Sequence, residues 1–190
     1  MESTTKSRRK QIMEITKMEP RLYTYRLVPD KKDPEYASCT WARFGFDCDN
    51  GRLDIHGDAG DYSYGWGFNE HEDFMHLMSR IDKHYLLNKI SDRSVFLLEE
   101  SIQANIKEIE LNGWESYGIK SEEEWESIKQ EILDIDEQTE IEFYYALDAI
   151  LPYMDSESFM VEKDYPYGAK VIANLFTKYL QPKIKEDFGF

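Results

Sequence analysis

Residues 37–68 have the sequence ASCTWARFGFDCDNGRLDIHGDAGDYSYGWGF, and this stretch decides the fold. It contains three segments in which apolar and polar residues alternate, separated by Asp49-Asn50-Gly51 and by Gly57-Asp58-Ala59-Gly60. Alternation places successive side chains on opposite faces of a strand. Asn-Gly and glycine-rich tetrapeptides allow the positive φ angles that tight hairpin turns require. The stretch therefore predicts three antiparallel strands joined by two hairpins.

The predicted strands have one apolar face and one mixed face. The apolar face consists of Ala42, Phe44, Phe46, Cys48, Leu53, Ile55, Tyr62, Tyr64, Trp66 and Phe68. The mixed face consists of Trp41, Arg43, Gly45, Asp47, Arg52, Asp54, His56, Ser63, Gly65 and Gly67. A bare apolar face would expose a large hydrophobic area to water, so helices from later in the chain are expected to cover it.

The remaining chain predicts one more strand and several helices. Residues 21–28 are rich in β-forming residues and predict a first strand. Apolar residues at helical spacing predict a helix after an Asn69 N-cap, and others over residues 91–112, 121–135, 141–151 and 172–180. Residues 85–90 are expected to be a connection and 153–168 to be irregular, with breaks at Gly168 and Pro182. A buried stripe of Ile141, Tyr144, Tyr145, Leu147 and Ile150 or Leu151 is expected on the fourth helix.

The order of strands before helices predicts an α+β fold: an N-terminal antiparallel β-meander of about four strands packed with four to five α-helices. Residues 1–20 are expected to form a basic arm, 21–112 the sheet with its helices, and 113–190 an acidic helical region packed on the same domain. A separate helical domain is the alternative, with its boundary near the turn-like residues 113–119.

The charge of the chain is uneven. Its 190 residues carry a net charge of −15, yet residues 1–32 hold nine basic and four acidic residues. An acidic body repels nucleic acid and attracts basic protein surfaces, although acidity also serves simple solubility. No long apolar run or secretory signal is apparent, and Cys39 and Cys48 are too far apart along one strand for a disulfide. The expected location is the cytoplasm, away from membranes.

An acidic segment over residues 121–142 is the first candidate contact surface. It contains ten acidic residues and one lysine. The candidate partner-binding residues there are Glu122, Glu123, Glu124, Glu126, Glu131 and Asp134. Rows of carboxylates can imitate nucleic-acid phosphates and occupy a basic channel. A solvated helix face is the alternative explanation.

The mixed sheet face is the second candidate, with Trp41, Arg43 and His56 as its contact residues. Tryptophan and arginine are enriched in binding hot spots, and a glycine strip admits another chain closely. Packing of a helix of the same chain on this face is the equal alternative.

A metal site around the second hairpin is the third candidate. His56, Asp58 and Asp61, with His71 or His76, could hold a divalent ion for a hydrolase. Local turn hydrogen bonds are the competing explanation for Asp58 and Asp61. The five-residue spacing of His71 and His76 does not match the zincin motif. No catalytic residue and no cofactor are predicted, because the known nucleotide and nucleophile motifs are missing.

The segment WARFGFDCDNGRLDIHGDAGDYSYGWGFNEHEDFMHLMSRI, residues 41–81, resembles small acidic proteins encoded by bacteriophages and prophages. The resemblance extends over residues 21–112. It implies an anti-defence role, including that of anti-CRISPR proteins, which occupy Cas nucleases. The partner would be a host protein with a basic nucleic-acid-binding groove, bound by an acidic nucleic-acid mimic without turnover. A metal-dependent nuclease and a phage structural or assembly protein, which could be a homodimer, are the alternatives.

Overall fold

A four-stranded antiparallel sheet opens the structure. The computed structural model describes residues 17, 19–67, 72–154 and 156–190. The strands are β1 (Leu22–Leu27), β2 (Ala42–Asp47), β3 (Arg52–Gly57) and β4 (Tyr62–Gly65), in the order β1-β2-β3-β4. Every neighbouring pair is antiparallel, which confirms the predicted meander and the α+β class.

The two sheet faces follow the predicted alternation. Phe44 pairs with Ile55 on β3 and with Tyr25 on β1. Phe44 and Ile55 are completely buried, whereas Arg43 and His56, one residue away, are exposed. Gly51 closes the first hairpin with a φ of 61°, which explains the Asn-Gly signal.

Four helices are built around this apolar face: α1 (Phe74–Arg80), α2 (Lys83–Ile90) and, from the end of the chain, α6 (Tyr167–Leu175) and α7 (Gln181–Phe188). A π-helical turn, Phe176–Leu180, joins the last two. The prediction that residues 85–90 only connect was wrong, because Asp82 caps a helix there through Tyr85 N at 2.8 Å. The predictions that Gly168 and Pro182 interrupt the helical structure were also wrong. Gly168 lies in the first turn of α6, and Pro182 is the second residue of α7, directly after the π-helical turn.

The middle of the chain forms a second group of elements: β5 (Val95–Phe96), α3 (Leu98–Asn112), α4 (Glu122–Leu133), α5 (Glu140–Ile150) and β6 (Lys163–Asp164). Single 3-10 turns lie at Pro34–Ala37, Trp114–Tyr117 and Ser156–Ser158. The second predicted helix begins at Leu98 rather than near 91, because Val95 and Phe96 pair with β6. Its predicted stop is confirmed by Gly113, which has a φ of 79°.

Two helix details differ from the sequence pattern. Asp73, rather than Asn69, caps α1, accepting hydrogen bonds from Met75 N and His76 N; Asn69 itself lies outside the described residues. On α5, Ile141 and Tyr145 are exposed, whereas Phe143 and Leu147 are completely buried. The predicted buried stripe was therefore wrong for Ile141 and Tyr145.

The buried side chains form two separate clusters. The first joins the sheet to α1, α2, α6 and α7. The second lies among α3, α4, α5 and the segments between them, from Ile102 to Phe159. We call residues 98–161 the acidic half and the rest of the described chain the sheet half. The division of the chain into residues 1–20, 21–112 and 113–190 stays a prediction. Helices α6 and α7, which come from the last of these segments, pack in the core of the sheet half.

The chain enters and leaves the acidic half through one narrow junction. β5 and β6 pair there, and Leu97 N donates to Glu162 O at 3.0 Å. The buried Asn105 side chain holds both backbone groups of Met160, accepting from its N–H at 2.9 Å and donating to its carbonyl at 2.7 Å. Ser101 Oγ accepts from Glu162 N at 2.8 Å. These polar groups of α3 fix the returning strand.

Candidate functional site

Helix α4 presents an acidic surface whose local structure follows from its sequence. Ser121 caps the helix by accepting from Glu124 N at 3.2 Å, which is the first hydrogen bond of a capping box. The Glu124 carboxylate accepts from Lys120 N at 2.7 Å rather than from the cap residue itself. Trp125 and Ile132 are buried, and this places the charged positions of the helix on the solvent side.

The carboxylates of this surface are exposed and have no ion-pair partner among the described residues. None of the following forms an ion pair with any residue in the described ranges: Glu122, Glu123, Glu124, Glu126, Glu131 and Asp134. Lys129, the one lysine of the helix, pairs with Glu110 of α3 at 2.6 Å. The hydrogen bond to Glu110 raises the pKa of Lys129, with a smaller electrostatic contribution from Glu126. The surface therefore keeps its negative charge.

The charge of the whole protein resides in the acidic half. Residues 98–161 contain eighteen acidic residues and three lysines, whereas the rest of the sequence contains twenty of each sign. The net charge of −15 is thus the charge of this half alone. The net charge of the whole sequence does not show this division, because it sums a neutral part and a strongly acidic part.

The mixed sheet face is the second surface. Trp41, Arg43 and His56 are exposed on it, as predicted from alternation. A Cβ added at Gly65 or Gly67 would meet no atom within 4 Å. No helix in the described part of the chain covers this face.

Sequence reasoning missed one residue of this face, Arg26. Arg26 on β1 is the register partner of Arg43 on β2, and His56 on β3 is the next partner along the same row. Arg26, Trp41 and Arg43 line a surface pocket. The alternation within residues 21–28 contains the signal, but the pairing register is needed to bring Arg26 beside Arg43.

The proposed metal ligands are divided between two local networks. His56 Nδ1 lies 3.3 Å from Asp61 Oδ1. Asp58 instead accepts hydrogen bonds from Thr40 N at 2.8 Å and from Thr40 Oγ1. Within the described residues, no group of three His, Cys, Asp or Glu side chains is arranged to hold a metal ion. The structure therefore joins His56 to Asp61 and separates both from Asp58.

The local bonds of Asp58 also determine its acidity. Partial burial raises its pKa, but hydrogen bonds from Cys39, Thr40 and the Trp41 amide outweigh burial and lower the pKa to about 2. The Cys39 thiol lies between this carboxylate and the Trp41 carbonyl, which is 3.1 Å from Sγ. Burial raises the pKa of both Cys39 and Cys48 to about 11, and both are free thiols. Asp58 and Cys39 are therefore structural partners of the loop before β2.

The remaining histidine candidates do not join this site. His76 packs its ring against Phe190, with ring centroids 4.8 Å apart. His71 lies outside the described residues.

These features define an acidic α+β protein with a charge-balanced sheet half and a strongly acidic helical half. The sequence matches the model of Phage_phiTE_072, described as a phage family, over residues 13–186, and the chain belongs to that family. The match includes both halves and extends beyond the resemblance over residues 21–112. Comparisons with curated proteins and with solved structures gave no match. Among the described helices, none has the length and apolar character to cross a membrane.

Proposed function

We propose that this protein is a non-enzymatic anti-defence factor of a phage, which inhibits a host nucleic-acid enzyme in the host cytoplasm. The observation that carries the proposal is the exposed, unpaired carboxylate surface of α4. Membership in a phage family supports the biological setting. A CRISPR-Cas nuclease is the partner that the phage resemblance favours.

The physical basis of inhibition is competition for a basic groove. Residues four apart on a helix, such as Glu122 and Glu126, have Cβ atoms about 5–6 Å apart on one surface. A lysine- and arginine-rich groove gains from such a row of charges as it does from phosphates. Few internal cations must be displaced before binding, because only Lys129 of α4 is in an ion pair.

The test uses three charges that can be removed without touching the helix cap. The variant Glu122→Gln/Glu123→Gln/Glu126→Gln retains Glu124, which accepts from Lys120 N. The matched control, Glu99→Gln/Glu100→Gln/Glu115→Gln, removes three exposed charges elsewhere in the acidic half. Each protein is used to capture partners from a host lysate at low and at high salt, and the captured nuclease is assayed for cleavage.

We expect the unaltered protein to capture a nuclease that is released by salt, and to inhibit its cleavage. The α4 variant should bind more weakly and with a lower salt dependence, because fewer counterions exchange. The control variant should bind like the unaltered protein. Equal binding by all three proteins with the same salt dependence would refute the charge-based mechanism.

A second candidate function is a structural or assembly role in the phage, favoured by a different observation. Ile141 and Tyr145 lie one helical turn apart on α5 and are 68% and 73% exposed. Apolar residues on an open helix face are typical of self-association surfaces. Sedimentation over a range of concentrations tests this role: Ile141→Ser/Tyr145→Ser should abolish any dimer, and a monomer at all concentrations would contradict it.

A further inference from the structure

The exposed row formed by Arg26, Arg43 and His56 is electrostatically unusual for this sheet. Arg26 and Arg43 are direct register partners across β1 and β2. Like charges directly opposite one another destabilise an antiparallel pair. Neither guanidinium has an ion pair or hydrogen bond with another described side chain. The row therefore keeps two donor groups available to a ligand.

A third arginine of the same face behaves differently. Arg52 on β3 pairs with Asp54 at 3.0 Å. The chain contains 38 acidic residues, so acidic partners are abundant in its sequence. Among the described residues, neither Arg26 nor Arg43 has an ion pair, which distinguishes this pair from Arg52 and makes Arg52 a matched control.

We propose that Arg26, Trp41 and Arg43 form a pocket for a nucleoside phosphate. The three side chains line one surface depression. Guanidinium groups donate paired hydrogen bonds to phosphate oxygens, and an indole stacks on a planar base. Trp41 and Arg43 are two residues apart on one face, about 7 Å along the strand. One small molecule with a ring at one end and an anion at the other can contact both.

The electrostatics favour a free nucleotide over a nucleic-acid strand. The protein carries a net charge of −15, and Asp54, Asp58 and Asp61 lie on or near the same strands. A strand would bring a phosphate at every nucleotide towards this negative field, whereas a nucleotide brings one phosphate to two arginines. This site is separate from α4 and does not depend on the anti-defence proposal.

The experiment follows the indole N–H signals of the protein during titration with nucleotides. The chain has four tryptophans, so its amide correlation spectrum contains four indole signals. Trp41→Phe identifies the signal of Trp41. The probes are the four ribonucleoside 5′-monophosphates, adenosine and a twelve-residue single-stranded oligonucleotide.

We expect at least one monophosphate to shift the Trp41 signal at up to millimolar concentration, with adenosine much weaker. Arg26→Gln and Arg43→Gln should each weaken binding about ten-fold, because a charge-assisted hydrogen bond is lost. Arg52→Gln should leave the affinity within about two-fold, since Arg52 is engaged with Asp54. The spectrum of each variant reports directly that it is folded.

Four results would overturn the proposal. They are no Trp41 shift with any monophosphate, equal binding of adenosine and adenosine 5′-monophosphate, equal losses for Arg43→Gln and Arg52→Gln, and tighter binding of the oligonucleotide than of every monophosphate. The last result would assign the pocket to a strand.

Discussion

The sheet half and the acidic half bury the same kinds of side chain but distribute charge in opposite ways. Phe44 and Phe143 are both completely buried, each in its own cluster. In the sheet half, many charges are paired within the chain, as in Arg21 with Asp49 at 2.9 Å and Lys183 with Asp187 at 2.8 Å. In the acidic half, eighteen carboxylates share three lysines.

This difference distinguishes the interactions that stabilise the fold from the charges that the protein exposes on its surface. Apolar burial supplies most folding energy in both halves, because exposed ion pairs contribute little. Unpaired carboxylates add repulsion rather than cohesion. The excess negative charge of the acidic half therefore lies on its surface and does not stabilise its core. This is consistent with the proposed role of the surface in binding a partner.

The largest expected effect comes from breaking each core separately. Phe44→Ala and Phe143→Ala should each lower the free energy of unfolding by about 3–5 kcal/mol, because each leaves a cavity. Urea unfolding gives the magnitude, and hydrogen exchange read by mass spectrometry gives the location. We expect Phe143→Ala to reduce protection mainly in residues 98–161. Equal loss of protection in both halves would show that the two clusters unfold as one unit.

The next effect concerns the junction. Asn105→Ala should cost about 2–3 kcal/mol, because the Met160 N–H and carbonyl lose a buried partner. Gln103→Ala on the exposed side of α3 is the control and should change stability little. Exchange at residues 160–164 should increase in the Asn105 variant only. Unchanged exchange there would contradict the role of Asn105 as the clamp.

Local signals predicted the sheet well and the junction not at all. The alternation around Phe44 and the Asn50-Gly51 turn act between neighbouring residues, so they can be recognised in one sequence. The pairing of Val95 with Asp164 joins residues far apart and leaves no local pattern. The same limit hid Arg26, whose position beside Arg43 depends on register.

The helices show where periodicity is ambiguous. On α5, Ile141 and Tyr145 form one apolar stripe, and Phe143 and Leu147 form another. A period of 3.6 residues fits both stripes, and only tertiary packing selects the second. For α2 a usable signal was present, since Asp82 precedes the helix as an N-cap. The acidic surface of α4 was predictable because its buried stripe begins at Trp125 just after a capping box.

A third prediction tests how closely α6 packs against the second hairpin of the sheet. A Cβ on Gly168 would overlap the Ala59 carbonyl oxygen. Gly168→Ala should therefore cost about 1–3 kcal/mol through forced displacement of α6 from the second hairpin. Gly65→Ala is the matched control, since its Cβ would lie in open space. Thermal unfolding of the two variants checks the difference, and equal midpoints would refute the close approach.

A fourth prediction concerns pH and the carboxylate of Asp58. Its pKa falls from 3.8 to about 2 on folding, so its contribution is present above about pH 4 and is lost as pH falls through about 2. Asp58→Asn should lower the free energy of unfolding by about 1 kcal/mol at pH 7, the scale of a weakened hydrogen bond. Urea unfolding from pH 7 to pH 2 should show this difference shrinking. A constant deficit for Asp58→Asn over this pH range would contradict the assignment.

The smallest expected effect provides the sharpest contrast between the halves. Glu122→Gln/Glu123→Gln/Glu126→Gln should change the free energy of unfolding by less than about 0.5 kcal/mol. Loss of favourable charge at the N-terminus of α4 is offset by relief of repulsion among the remaining carboxylates. Urea unfolding at low and at high salt measures the lost helix-dipole interaction and the relieved repulsion, because salt screening weakens both of them. A loss above about 2 kcal/mol would mean that these carboxylates hold α4 in place, and the acidic surface would then be structural rather than a surface reserved for a partner.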